Sequence, residues 1–288
     1  MISKVMQALF LILIVLTLLA CSKTESGIVN LNEGKIGIIG HGGSGFQSET
    51  NPLPHNSFGS IVKAIEANQA DGVELDIQIS KDLKLILYHD RTLQSMTKCD
   101  GCISSKTAMG ISACKYRNDY YTNVFTEEHV IELEVIMERF SKRQIKPILF
   151  FDIKIFNPCG TDSTDLSEAM AEAINKTILK YDALQWVMVQ SVQPYFLDYL
   201  KQINGEILLL LEGGNAEEII ETAKIKGYKG VILSNGVISK KEVNQAHSNG
   251  LTVVIFDVKT RDGTIEAINK SPDYIQTDNL LLLQQSLK

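Results

Sequence analysis

The chain has 288 residues with 44% hydrophobic content, enough for one large core and a poor fit to two domains once a leader is set aside. Its 28 basic and 34 acidic residues leave a formal charge of −6, so there is no basic field of the kind a nucleic-acid partner needs. Lys4 precedes an apolar run from Ala8 to Ala20 that is short for a bilayer span and ends in Leu18-Leu19-Ala20-Cys21. A positive start, an apolar stretch and small residues at its end read as a secretory signal. No later segment is long and apolar enough to cross a membrane.

Cys21 directly after Ala20 makes this leader resemble a bacterial lipoprotein signal. That resemblance implies removal of residues 1–20, acylation of Cys21, and a lipid-anchored protein on the periplasmic side or at the cell surface. Residues 21–34 then form a polar tether, and residues 35–288 the folded domain.

From there strand-like and helix-like patterns alternate. Strands are expected near 36–40, 72–79, 146–152, 186–191, 206–211, 230–234, 252–257 and 274–277. Helical periodicity falls near 57–69, 127–142, 163–180, 194–203, 215–227, 239–249, 260–269 and 279–287. Ser57, Thr126 and Asn215 suit helix starts, and Gly250 suits a helix end. Eight strands each followed by a helix make a (β/α)8 barrel, the TIM-barrel class of α/β fold. Residues 83–89 read as an additional hairpin strand carrying His89. Residues 91–125 break the alternation and read as an inserted lid or binding loop after an early strand. Besides Cys21 there are four cysteines, Cys99, Cys102, Cys114 and Cys159, an even number that suggests disulfides in an exported protein. A Cys99–Cys102 bridge is one possible pairing, and a structural zinc site made from all four is the competing reading.

The chemistry concentrates between His41 and Asp90. Glu74 and Asp76 stand two apart in the alternating run Val73 to Ile79, so on a strand both carboxylates point to one face while the apolar residues point to the other. An isolated pair of this kind is more often a solvated face. Here the opposite, apolar face marks a barrel strand whose polar side looks inward. Two close carboxylates call for a positive charge between them, and oxygen ligands favour Mg²⁺ or Ca²⁺. His41 and His89 each follow an apolar run and could supply an acid and a base beside that metal. Asp152 and Lys154, Gln190, Glu212, Asp257 and Asp278 recur where later strands give way to loops, the end at which such barrels keep their active sites.

These residues resemble the glycerophosphodiester phosphodiesterase family, within the barrel superfamily of phosphatidylinositol-specific phospholipase C. The resemblance runs through His41-Gly42-Gly43, Pro54-His55-Asn56-Ser57, Asp71-Gly72-Val73-Glu74-Leu75-Asp76, His89-Asp90, Phe151-Asp152-Ile153-Lys154, Val189-Gln190-Ser191 and Thr277-Asp278, covering about residues 36–280. It implies a metal-dependent hydrolysis of glycerophosphodiesters to sn-glycerol 3-phosphate and an alcohol. His41 and His89 would be the acid/base pair, Glu74, Asp76 and Asp152 the metal ligands, and Lys154 a phosphate contact. Three departures stand out: Gly42 where the family has Arg, His55 where it has Glu, and Asp152 where it has Glu. His55 is expected on the surface. The alternatives are a sphingomyelinase D or lysophospholipase D-like enzyme on the same barrel, and a non-catalytic barrel that binds a phosphorylated ligand.

Overall fold

The structure is a computed structural model and describes residues 27–48, 51–117, 127–155, 158–160 and 164–288. In chain order its strands are β1 (Gly37–Gly40), β2 (Gly72–Ile79), β3 (Leu85–Leu87), β4 (Ile131–Glu132), β5 (Ile148–Ile153), β6 (Val187–Ser191), β7 (Leu208–Glu212), β8 (Gly230–Ser234), β9 (Thr252–Val258) and β10 (Tyr274–Thr277). The helices are α1 (Phe58–Val62, prolonged by a π-turn over Lys63–Ala67), α2 (Ala108–Ser112), α3 (Leu133–Ser141), α4 (Thr164–Lys180), α5 (Pro194–Ile203), α6 (Ala216–Lys226), α7 (Lys240–Ser248), α8 (Arg261–Lys270) and α9 (Leu280–Ser286).

β1 pairs in parallel with β2 on one side and with β10 on the other, which closes eight parallel strands into the expected (β/α)8 barrel. Ile39, Phe150, Leu210, Ile232, Val254 and Tyr274 fill its interior, while Val73, Leu75, Leu149, Phe151, Val189 and Leu211 bury the outer face of the strands under the helices. Burying one such aliphatic side chain contributes about 1.5–3 kcal/mol, so this double-sided core is what fixes strand direction and register. Ser57 and Asn215 do cap their helices, accepting from the amides of Ser60 and Glu218, and Gly250 follows α7 with φ +71°. Residues 83–89 contain the expected hairpin strand: β3 runs antiparallel to β2 along the part of β2 that β1 leaves unpaired.

Three expectations change. The helix read over 127–142 begins only at Leu133, because the preceding residues are drawn into sheet: Lys115 bridges His129, and β4 pairs with β3. Val130 sinks there into a second small core with Ile86, Tyr88, Leu93, Ile103, Ile111 and Tyr116, so tertiary packing overrides helical periodicity. The proposed cap Thr126 lies outside the described residues. Of the insertion expected over 91–125 as a lid or binding loop, residues 118–125 lie outside the described residues, while 91–117 wrap this second core and are stapled by Cys99–Cys114, with Cys102–Cys159 tying them to the loop after β5. The four cysteines therefore form neither a Cys99–Cys102 bridge nor a zinc site. Part of the stretch read as a tether is also fastened down. Asn30 donates to the Pro272 carbonyl, and the Leu31 amide donates to Asp273, against the N-terminal end of the barrel. Among the described residues no helix is long and apolar enough to cross a membrane.

Candidate active site

β2 places the first two acidic groups. Glu74, Asp76 and Gln78 point into the barrel while Val73, Leu75, Ile77 and Ile79 point to the helices, and all eight residues of the strand are buried. The parallel register sets Asp76 directly against Asp152 on β5, so the third carboxylate arrives on the same inner face. Ligating atoms of Glu74, Asp76 and Asp152 lie within 4.8 Å of one another. Asn56 holds Asp76 from both sides, its Nδ2 donating to Oδ2 at 2.6 Å and its Oδ1 accepting from the Asp76 amide at 3.0 Å. This pair of hydrogen bonds to β2 stabilises Asn56 in the left-handed region, at φ +61°.

Only one cation among the described residues enters this cluster. Lys154 Nζ lies 2.7 Å from Asp152 Oδ2 and 3.2 Å from Asp76 Oδ1. Burial and the neighbouring carboxylates push Glu74 well above the usual carboxylate range. Burial raises Asp152 as well, only partly offset by Lys154. Asp76 is the one held low: burial works against it, but Lys154, His89, His55 and the Asn56 amide together outweigh that. Glu74 accepts the Gly42 amide at Oε2, while its Oε1 is buried with no hydrogen-bond partner among the described residues. Three convergent carboxylates, one lysine and one orphaned carboxylate oxygen make a deficit of positive charge facing hard oxygen donors. These residues fit a divalent cation of the Ca²⁺ or Mg²⁺ type.

Two histidines stand over the cluster, and each is aimed by a carboxylate. His41 follows β1, and its Nδ1 is 2.9 Å from Asp278 Oδ1, at the end of β10. Its Nε2 is left on the side of Glu74, 3.9 Å from Oε2. His89 follows β3, and its Nδ1 is 2.7 Å from Asp90 Oδ1. That bond raises the His89 pKa above its ordinary value and lowers Asp90 to about 2. In both cases the carboxylate holds the Nδ1 proton and leaves Nε2 for chemistry, the arrangement general acid/base catalysis requires.

A third imidazole joins them. His55, expected on the surface, is 5% exposed; it is buried because the Asn56 anchor draws its segment down onto β2. Its ring packs on Phe46 (centroids 4.6 Å apart) and edge-on to His89 (5.4 Å), and Phe46 also touches His41 at 4.7 Å. Burial lowers the His55 pKa to about 4, so the ring is neutral.

The model of the Glycerophosphoryl diester phosphodiesterase family matches residues 45–281, most of the chain. The chain belongs to that family. A glycerophosphodiester phosphodiesterase from Caldanaerobacter subterraneus is 23% identical over 244 residues, covering 84% of this chain and 93% of the relative. Among solved structures, a putative glycerophosphoryl diester phosphodiesterase from Silicibacter pomeroyi superposes with a TM-score of 0.77 at 16% identity, covering 88% of this chain and 92% of that one. An Oleispira antarctica phosphodiesterase, solved with the product sn-glycerol-3-phosphate, gives a TM-score of 0.74 at 19% identity, over 87% and 96% of the two chains. These likenesses share the barrel fold. Family membership makes the protein a phosphoric diester hydrolase.

Within this family frame, the structure brings all six domain residues singled out from sequence (His41, Glu74, Asp76, His89, Asp152 and Lys154) to one end of the barrel. Cys21 lies outside the described residues. Lys154, expected to meet a phosphate, is here engaged with Asp76 and Asp152. Sequence reading missed the orienting role of Asp278, which sits 237 positions from His41 and has no spacing signal. It also missed Phe46, an ordinary loop aromatic until the rings around it are placed. Glu212 was noted only as a strand-end residue; burial and the Asp152 charge raise its pKa to about 8, and Gln190 and Gln276 form a hydrogen-bonded chain behind it.

Proposed function

We propose that the protein is a metal-dependent phosphodiesterase that hydrolyses glycerophosphodiesters to sn-glycerol 3-phosphate and an alcohol. The observation that supports this best is the pair of carboxylate-aimed histidines, His41–Asp278 and His89–Asp90, above a buried three-carboxylate cluster. Glu74, Asp76 and Asp152 hold the divalent cation, which when bound polarises a nonbridging phosphate oxygen and offsets the charge that builds on it. His89, kept more basic by Asp90, carries the proton that the departing alkoxide needs. His41, with Nδ1 bonded to Asp278, presents Nε2 as the base that takes the proton of the nucleophile, either water or a neighbouring glycerol hydroxyl whose cyclic phosphate a water then opens. Lys154 adds a fixed positive charge beside the phosphate.

The outer features support export. Two disulfides suit an oxidising compartment, in line with the leader and with acylation at Cys21 as a membrane anchor. The test is turnover of glycerophosphocholine against lysophosphatidylcholine by the purified protein, with EDTA and with added Ca²⁺ or Mg²⁺. We expect glycerophosphocholine to be cleaved, activity to vanish in EDTA, and His41→Ala and His89→Ala to fold yet be inactive. Activity that survives EDTA or either substitution would refute the mechanism, and preference for the lysolipid would favour the phospholipase D reading.

A further inference from the structure

His55 has no part in a mechanism built on two histidines, yet it is buried at the barrel mouth. Its Nδ1 is inaccessible and has no hydrogen-bond partner among the described residues. A buried N–H without an acceptor costs more than a buried lone pair without a donor, so the proton of this neutral ring belongs on Nε2. His55 is thereby a donor, not a base. The ring is pinned between Phe46 and His89, with Asp76, Asp90, His89 and His41 as the charged or titratable groups near enough to act on it.

Position 42 lets the segment that carries His55 pack closely. Gly42 has φ +56°, and a Cβ built there would come within 2.7 Å of the His55 Cβ. The contact is with the Cβ of residue 55, so it is the bare backbone of Gly42 that lets the segment carrying His55 pack this closely against the loop after β1. Position 42 carries no cation, and the His55 ring, packed against Phe46 and His89, keeps its one N–H unspent.

We propose that His55 is a substrate-binding residue that donates Nε2–H to a nonbridging oxygen of the substrate phosphate. The inference rests on the phosphodiesterase reading above and adds a phosphate ligand to it. A purely structural ring, filling space against Phe46, is the competing account, and two substitutions separate the two. His55→Phe keeps the ring and removes the donor; His55→Gln keeps a donor and removes the ring.

The experiment measures kcat and KM for glycerophosphocholine with the metal-loaded full-length protein, alongside unfolding temperature and metal titration. A donor to a charged oxygen predicts that His55→Phe folds, binds metal normally and loses about 10- to 100-fold in kcat/KM, while His55→Gln recovers much of that loss. Wild-type kinetics in His55→Phe, or equal losses in both variants, overturns the proposal. Should His55→Phe fail to fold, the wild-type protein still decides. On addition of inorganic phosphate to the metal-loaded form, the imidazole Nε2 signal that is missing from His55→Gln should shift downfield in nitrogen-15 spectra. No shift overturns the proposal. If the wild type does not cleave glycerophosphocholine, the proposed activity fails, and the phosphate titration still judges His55 by itself.

Discussion

Replacing Lys154 by Met removes the one described cation of the carboxylate cluster while keeping most of the side-chain stem. Nζ lies 2.7 Å from Asp152 Oδ2 and 3.2 Å from Asp76 Oδ1, and the lysine side chain is 21% exposed. At an effective dielectric near 20, contacts at these distances are worth about 6 and about 5 kcal/mol before desolvation. Desolvation of all three groups offsets much of this, and losing one partner of a buried pair typically costs about 3–5 kcal/mol. The partial exposure of Lys154 argues for the lower end, about 3 kcal/mol, or roughly 6–12 °C in Tm for a domain of this size. That figure holds for the metal-free protein. With a divalent cation between the carboxylates the charge is compensated, and the cost should fall below about 1 kcal/mol. Thermal unfolding followed by circular dichroism, in EDTA and in millimolar Ca²⁺ or Mg²⁺, reads both numbers. An equal loss in the two conditions would show that Lys154 acts through packing. No loss in EDTA would show that its ion pairs are not what holds the empty cluster together.

Three further outcomes follow from the same geometry. Cys102–Cys159 spans a sequence separation of 57, for which chain entropy gives a stabilisation of up to about 4 kcal/mol; denaturant unfolding of the Cys102→Ser/Cys159→Ser variant should show a loss of about 2–4 kcal/mol, and an unchanged midpoint would count against a tie between insertion and barrel. Asp278→Asn should lower kcat by roughly 100- to 10,000-fold with unfolding temperature and metal affinity intact, because an amide can donate to Nδ1 as well as accept from it and so no longer fixes the His41 tautomer; a change confined to KM would contradict the role. Stability of the metal-free protein should fall as pH rises from about 6.5 to about 8. Glu212, raised to about 8, and Glu74, raised by burial, keep protons when folded that the unfolded chain has released, and His89 is likewise raised. Below about 6.5 the depressed His55 works the other way, losing stability as pH falls, so the decline should be clearest above that point. A flat profile in EDTA, or the same slope with metal present, would mean that these carboxyls do not govern stability.

The barrel was legible because its strands obey two periods at once. The run Val73 to Ile79 alternates strictly, and the later strands are short apolar runs set between helical patterns, so tertiary packing had nothing to overrule. The stretch 127–132 misled because its pattern continues the helix that really starts at Leu133, while the deciding contact is a β3 edge more than forty residues upstream. His55 misled for a related reason. A histidine between a proline and an asparagine reads as exposed loop, and only the Asn56–Asp76 pair shows that the loop is pulled inward. The disulfides belong to the same class: spacing offers the nearest pair as one of three pairings and cannot choose among them, whereas the folded insertion brings Cys114 to Cys99 and Cys159 to Cys102.

What the sequence could not express is how the site depends on closing the ring. Gly40 on β1 stands in register with Thr277 on β10, and that single pairing sets the next residues, His41 and Asp278, side by side. Asp76 opposite Asp152 does the same work between β2 and β5. A slip of one residue at either seam would turn an inward carboxylate to the helices or part His41 from its acceptor. Residues at the two ends of the domain therefore share one catalytic geometry, and the apolar layers that fix strand register also fix the tautomer of His41. Positions that carry no chemistry, such as Ile39 and Tyr274 in the barrel interior, hold that geometry through packing alone. Large-to-small substitutions there should reduce activity by loosening the β1–β10 seam before they unfold the domain, a coupling that no motif records.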